Sequence, residues 1–235
     1  MRRIEFGRVG RGVGAAPWRR IWLLTALAVV VLVALGAVAW FTPVLSVRNV
    51  KVEGVVAVPD QQVRDLLEVP EGRSMLRIDT DAMARRIAAL PKVRSARVQR
   101  VFPSSVKVTV VERTPVLFWD SAQGAHLMDA EGVEYSIEAP PIGVPKLLAD
   151  RPGSNDAVTK AAVAVLSVLP PALSIQVDEV VARSISDISL NLKDGRTVLW
   201  GGTNDAQRKA QVVLPLLTRE GRVFDVSSPN LVTVK

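Results

Sequence analysis

His126 is the only histidine in a chain of 235 residues that has no cysteine. Those two counts bound the chemistry. A metal centre draws on several His, Cys or clustered carboxylate ligands, and the sequence gathers none. A serine nucleophile needs a base beside it. Only His126 could serve, and it stands between Ala125 and Leu127, as a half-exposed strand residue would. Gly-x-Ser-x-Gly, the Walker loop and Gly-x-Gly-x-x-Gly are all absent. Asp79 with Asp81 and Asp178 with Glu179 are close acid pairs. The first falls at a helix start, where free N–H groups want acceptors, and the second borders a strand. The sequence therefore predicts no catalytic, metal-ligating or cofactor-binding residue, and a protein that is not an enzyme.

What remains is charge and its distribution. The formal net charge is +7 and the pI about 10.2, values that suit nucleic acid or a membrane surface. Six arginines against the single acid Glu5 lie in residues 1–20, which leaves the body close to neutral. The stretch from Pro91 to Val116 interleaves Lys and Arg with Val. A single-strand nucleic-acid binder adds aromatic stacking platforms, and here only Phe102 is aromatic. Val106, Val108 and Val110 instead alternate with Lys107 and Thr109. That period of two predicts a hairpin with one apolar face and a solvated basic face. A face for an acidic partner is the other reading of the same pattern.

The elements that carry these residues follow from periodicity. Residues 21–41 hold no charge over 21 positions, enough for a helix of roughly 31 Å, close to a hydrocarbon core of about 30 Å. Trp18, Trp22 and Trp40 suit its two interfaces, and the arginines before it place residues 1–20 in the cytoplasm and residues 42–235 outside. Ala37-Val38-Ala39 also fits a signal-peptide cleavage site, but the apolar run exceeds the usual h-region of about 7–15 residues. The sequence thus predicts a retained, single-pass type II anchor in the plasma membrane.

Residues 46–113 read as strand, helix, helix, strand, strand. Val50 and Val52 alternate up to Gly54; Pro59-Asp60 opens a helix with Val63, Leu66 and Leu67 on one face; Met83, Ile87 and Leu90 mark a second helix ended by Pro91. Residues 114–235 read as a mostly antiparallel β-sheet domain with flanking helices. Asn155 or Asp156 caps one helix and Asn204 another. Asp194-Gly195 turns a hairpin, residues 139–153 are a Pro/Gly-rich connection, and the chain closes on a strand, a Pro-Asn turn and a last strand. The class is α+β.

Residues 47–113 resemble a POTRA domain. More narrowly, the basic tail, the apolar span, "VRNVKVEG", the run from Leu90 to Val116 ("LPKVRSARVQRVFPSSVKVTVVERTPV"), "LMDAEG" and "FDVSSPN" resemble the FtsQ/DivIB family of bacterial cell-division proteins over nearly the whole chain. The resemblance implies a non-enzymatic, bitopic scaffold at the division septum. It would bind the small coiled-coil proteins FtsB and FtsL and be tied to the septal peptidoglycan synthase complex. It also implies a partner-binding edge, carried here onto Phe224, Asp225, Val226, Ser227, Ser228, Asn230, Leu231, Val232, Thr233 and Val234. Ser227-Ser228 stand where many relatives have an Arg-Tyr pair, so pairing through the backbone is the part that carries over. The readings outside the family are an anchored protein that acts on or binds peptidoglycan, and a POTRA-type export or assembly accessory. The missing sugar-binding aromatics weigh against the first and the missing barrel against the second.

Overall fold

A computed structural model of the chain describes residues 17–41, 46–69 and 74–235; the side chains of 17, 19, 20, 35 and 38–41 fall outside the description. Most of the basic tail and part of the loop after Val69 therefore lie outside the described residues. Helix α1 runs Pro17–Phe41, 25 residues. Its unbroken run with described side chains, Ile21 to Ala34, is exposed throughout. Among the described residues no helix is long and apolar enough to cross a membrane.

The first sheet is built from β1 (Asn49–Glu53), β2 (Val93–Val101) and β3 (Ser105–Glu112), in the order β1-β3-β2. β1 and β3 are parallel, with Asn49 opposite Ser105, and β2 and β3 form the expected hairpin. Between β1 and β2 come α2 (Asp60–Leu67), a single 3-10 turn (Met75–Arg77) and α3 (Thr80–Ala88). Asp79 caps α3 by accepting from the Asp81 and Ala82 amides at 3.0 and 2.9 Å. Val106, Val108 and Val110 are buried against Val63, Leu67, Met83 and Ile87, while Arg97 and Gln99 are exposed on the opposite face. The apolar row, with its basic residues facing out, is thus as the period of two requires.

The second sheet has nine strands in the order β12-β11-β10-β9-β8-β7-β4-β5-β6. They are β4 (Leu117–Ser121), β5 (Gly124–Met128), β6 (Glu134–Ile137), β7 (Lys146–Leu148), β8 (Val177–Ser184), β9 (Asp187–Leu192), β10 (Thr197–Gly201), β11 (Val223–Asp225) and β12 (Thr233–Val234). Five pairings are antiparallel; β4 with β7, β7 with β8 and β10 with β11 are parallel. Helix α4 (Ala157–Val168) is capped by Asp156, whose Oδ2 accepts from Thr159 N at 2.7 Å. A short α5 (Pro171–Ser174) follows, and α6 (Ala206–Leu216) crosses from β10 to β11.

Two local expectations need correction. The connection 139–153 contains β7, whose central Leu147 is buried; three residues between prolines and glycines carry too little periodicity to show. Asn204 does not cap α6: Asp205 holds the N-cap position with φ 54°, and no side chain caps the helix.

Candidate partner-binding edge

A sheet ends where a strand's outer N–H and C=O groups have no neighbour, and those groups can template another chain. β12 is such a strand. The β9–β10 hairpin, turned by Asp194-Gly195, sets Val198 opposite Leu190. Helix α6 then returns the chain so that β11 adds parallel to β10, with Phe224 beside Val198. β12 folds back antiparallel, pairing Phe224 with Val234 and Asp225 with Thr233. Val223 and Lys235 exchange both backbone hydrogen bonds, at 3.0 and 2.9 Å. Hydrogen-bonded pairs alternate along an antiparallel ladder, so Thr233 and Lys235 direct their N–H groups at β11. Val234 and Val232 direct theirs away from the sheet.

The return of the chain has identifiable causes. Asp225 Oδ1 accepts from Ser227 N at 2.9 Å and from Ser227 Oγ at 2.6 Å, and Leu231 N donates to Ser228 O at 2.9 Å, closing the Pro229-Asn230 turn. Two glycines admit the strand. Gly201 (φ 74°) faces Ser227, whose Cβ would lie 2.9 Å from an added methyl, and Gly221 (φ 153°) is overlaid by the Val234 side chain.

The ten residues assigned to the edge are brought together, but not as equals. Phe224 and Val226 are buried in the core, with the Arg196 guanidinium 5.6 Å from the Phe224 ring centre; β11 is paired on both sides, by β10 and β12, so Phe224 does not lie on the open edge. Val232 and Val234 are half-buried against that core, and Asp225 is half-buried beside them. Ser227, Ser228, Asn230, Leu231 and Thr233 are exposed, Leu231 to 75%.

The opposite edge, β6, faces the first sheet's domain. Lys92 Nζ meets Glu138 Oε2 at 2.8 Å, and Arg94 pairs with Glu131. The Lys92 hydrogen bond holds the Glu138 carboxyl below its ordinary pKa. Tyr135 is pushed up to about 12 by burial and lines a cavity with Pro59, Gln62 and Lys92. Among the described residues no strand pairs with the outer side of β12, whereas the β6 end of the sheet meets the first sheet's domain through these side chains.

One chemically suggestive cluster escaped the sequence. Ser121 Oγ lies 2.7 Å from His126 Nε2, and His126 Nδ1 lies 2.6 Å from Glu134 Oε1. His126 is 5% exposed, not half-exposed, because β5 sits between β4 and β6 and the Trp119 ring stacks on the imidazole at 3.8 Å. The connectivity is that of a Ser-His-acid relay. Reaction needs in addition a space beside the nucleophile lined by oxyanion donors; the cavities described are lined by other residues, and the Gln123 amide donates to Ser121 Oγ itself. The cluster ties β4, β5 and β6 together. Its signal, a Ser and a Glu five and eight residues from a His, is too common to read without the strand register.

A β-α-α-β-β unit joined to a nine-stranded β-sheet defines a POTRA-type chain with a C-terminal β domain. The sequence matches the family profiles described as "POTRA domain, FtsQ-type" over residues 45–113 and "Cell division protein FtsQ/DivIB, C-terminal" over residues 117–228. It is 44% identical to the cell division protein FtsQ of Mycobacteroides abscessus over 232 residues, covering 99% of this chain and 74% of that protein. With the FtsQ of Mycolicibacterium smegmatis it shares 44% identity, covering 92% and 65%, and with that of Corynebacterium glutamicum 36%, covering 92% and 98%. The chain belongs to the FtsQ/DivIB family of cell-division proteins.

Proposed function

We propose that this protein is a single-span, non-enzymatic scaffold of the division machinery at the septum. In this reading α1 crosses the membrane with the arginine-rich tail in the cytoplasm. The extracytoplasmic part holds FtsB- and FtsL-like coiled-coil proteins and through them the septal peptidoglycan synthase complex. The observation that carries the proposal is the outer side of β12, which no described strand covers. A partner segment adds there as a tenth strand, with affinity from backbone hydrogen bonds. Such pairing tolerates Ser227-Ser228, because it does not depend on a side-chain pocket at those positions. The uncharged run of residues 21–41 within the 25-residue α1 supports the anchor.

The register makes the test sharp. Proline at Val234 removes an N–H that points outward; proline at Thr233 removes one that bonds β11. Val234→Pro should lower co-purification with the coiled-coil partners at least tenfold while lowering the melting temperature less than Thr233→Pro does. Thr233→Pro should lower the melting temperature. Undiminished partner capture by Val234→Pro would move the docking site off β12 and favour the basic face of the β2–β3 hairpin.

A further inference from the structure

β1 and β3 run parallel and start level, so the tip of the β2–β3 hairpin lies at the end of the domain where the chain enters it. The backbone fixes this directly: Arg48 N and Asn49 N both donate to Ser104 O, at 2.8 and 3.2 Å. Ser46 bridges to Ser74 at the same end. Arg100 closes the arrangement, donating from Nε to Met75 O at 2.8 Å and from Nη2 to Ile78 O at 2.6 Å. Those bonds hold the 3-10 turn against the last residues of β2. Three large apolar side chains stand out at this end: Leu76 (39% exposed), Val101 (45%) and Phe102 (57%). Arg48 and Arg77 are exposed there too, and neither forms an ion pair with another described residue. The acid that follows Arg77, Asp79, has its Oδ1 engaged by two helix amides.

Chain length decides what can cover this patch. Seven residue steps separate Phe41, the end of α1, from Arg48. At about 3.3–3.6 Å per extended residue they span at most about 25 Å. If α1 crosses the bilayer, as proposed above and on which this inference rests, the patch cannot leave the headgroup region by more than that distance. Apolar residues ringed by arginine suit an interface of acyl chains and anionic headgroups. We propose that the Leu76–Val101–Phe102 tip docks into the membrane surface beside the anchor, with Arg48 and Arg77 on anionic phospholipid headgroups. This contact sets the tilt of the first domain, and so the height at which β12 is presented.

The test uses the full chain reconstituted in vesicles containing phosphatidylglycerol. Because the protein has no cysteine, Ser104→Cys and, at an exposed turn of the second sheet, Ser186→Cys give single sites for an environment-sensitive fluorophore. The Ser104 label should be blue-shifted and at least twofold more quenched by acyl-brominated lipid than the Ser186 label. Phe102→Asp with Leu76→Asp should bring it to the Ser186 level without altering the melting temperature. Arg48→Gln with Arg77→Gln should reduce quenching at least as far as replacing the anionic lipid with phosphatidylcholine does. A Ser104 label as wet as Ser186, shielding that survives Phe102→Asp with Leu76→Asp, or equal shielding in lipid-free detergent, as a protein partner or second copy would give, overturns the proposal. Carbonate extraction separates the two readings. Release of the chain sinks the anchor and this contact together, whereas a retained chain with a water-exposed Ser104 sinks the contact alone.

Discussion

Arg113 and Asp129 form an ion pair between the residue that ends the first sheet's domain and the turn that follows β5. Asp129 is 2% exposed, and its second oxygen accepts from Glu131 N at 3.0 Å and Val133 N at 2.8 Å. The carboxylate thus orders the β5–β6 turn and fastens it to the interdomain junction, beside the Lys92–Glu138 and Arg94–Glu131 pairs. Removing one partner of a buried pair leaves an uncompensated charge, which costs about 3–5 kcal/mol. Arg113→Ala should lower stability by about that amount. Calorimetry should then resolve two transitions where the native chain should give one. A single transition displaced by less than 1 °C would mean that the pair does not couple the domains.

Much of this was legible because periodicity and burial agree. In the first sheet Val106, Val108 and Val110 alternate with Lys107 and Thr109, and the structure buries the valines. Val108→Asp should unfold that domain, since an unpaired buried carboxylate costs several kcal/mol. Lys107→Glu, which loses the exposed 2.8 Å pair with Glu53 and sets two solvated carboxylates side by side, should cost about 1 kcal/mol. Equal melting shifts for the two would reverse the register. What the sequence hid has short-range causes. β7 is three residues long and lies between prolines and glycines. His126 is buried by Trp119 and Glu134, which come from the two neighbouring strands, so no local pattern reports it. The direction of the Val234 amide depends on which pair of the β11–β12 ladder is hydrogen-bonded, a fact of register and not of composition.

Glu112 stabilises the loop between β1 and α2. Its carboxylate accepts from Val56 N, Ala57 N and Val58 N at 2.8 to 3.0 Å. Burial pushes its pKa up, but the three amides together outweigh that and hold it below the ordinary 4.5. A carboxyl depressed in the folded state contributes stability that is complete above its unfolded value and lost as pH falls through the folded one. Glu112→Gln should cost about 1–2 kcal/mol at pH 7, and the difference from wild type should close as pH falls below about 4.5. A gap that stays constant down to pH 3 would show that charge plays no part.

Lys209 works in the opposite sense. It is buried in α6 with Nζ 2.9 Å from Gly202 O. Burial lowers its pKa against the raising influence of Asp205 and Asp225. Between the depressed and the ordinary value the unfolded chain binds more protons than the folded one, so unfolding free energy rises with pH across that window. Lys209→Met abolishes that rise. Urea titrations between pH 7 and 10.5 should show wild type gaining stability relative to Lys209→Met. Parallel curves would place the amine in water.

Gly221 gives the clearest link between backbone and docking. With φ 153° it lies in a region that side chains rarely adopt, and an added methyl would run into Val234 Cγ1 and approach Lys235 O at 3.1 Å. Lys235 O receives the Arg222 and Val223 amides, so it cannot yield without opening the β11–β12 ladder. Val234 can yield only by lifting β12 off the sheet, because the rest of its side chain rests on the core. Phe224 and Val226, fixed one strand inward, should keep the sheet itself folded. Gly221→Ala should therefore lower the melting temperature by a few degrees, for a cost of about 1–2 kcal/mol. It should weaken capture of the proposed coiled-coil partners by more than that stability change accounts for, because the strand proposed to template them is displaced. Hydrogen exchange checks this residue by residue: the Thr233 and Lys235 amides should lose protection while the Val226 amide, bonded to Leu199 O at 2.9 Å, retains it. Protection lost at all three would show that β12 and β11 open as one unit and that Gly221 guards the sheet and not its edge.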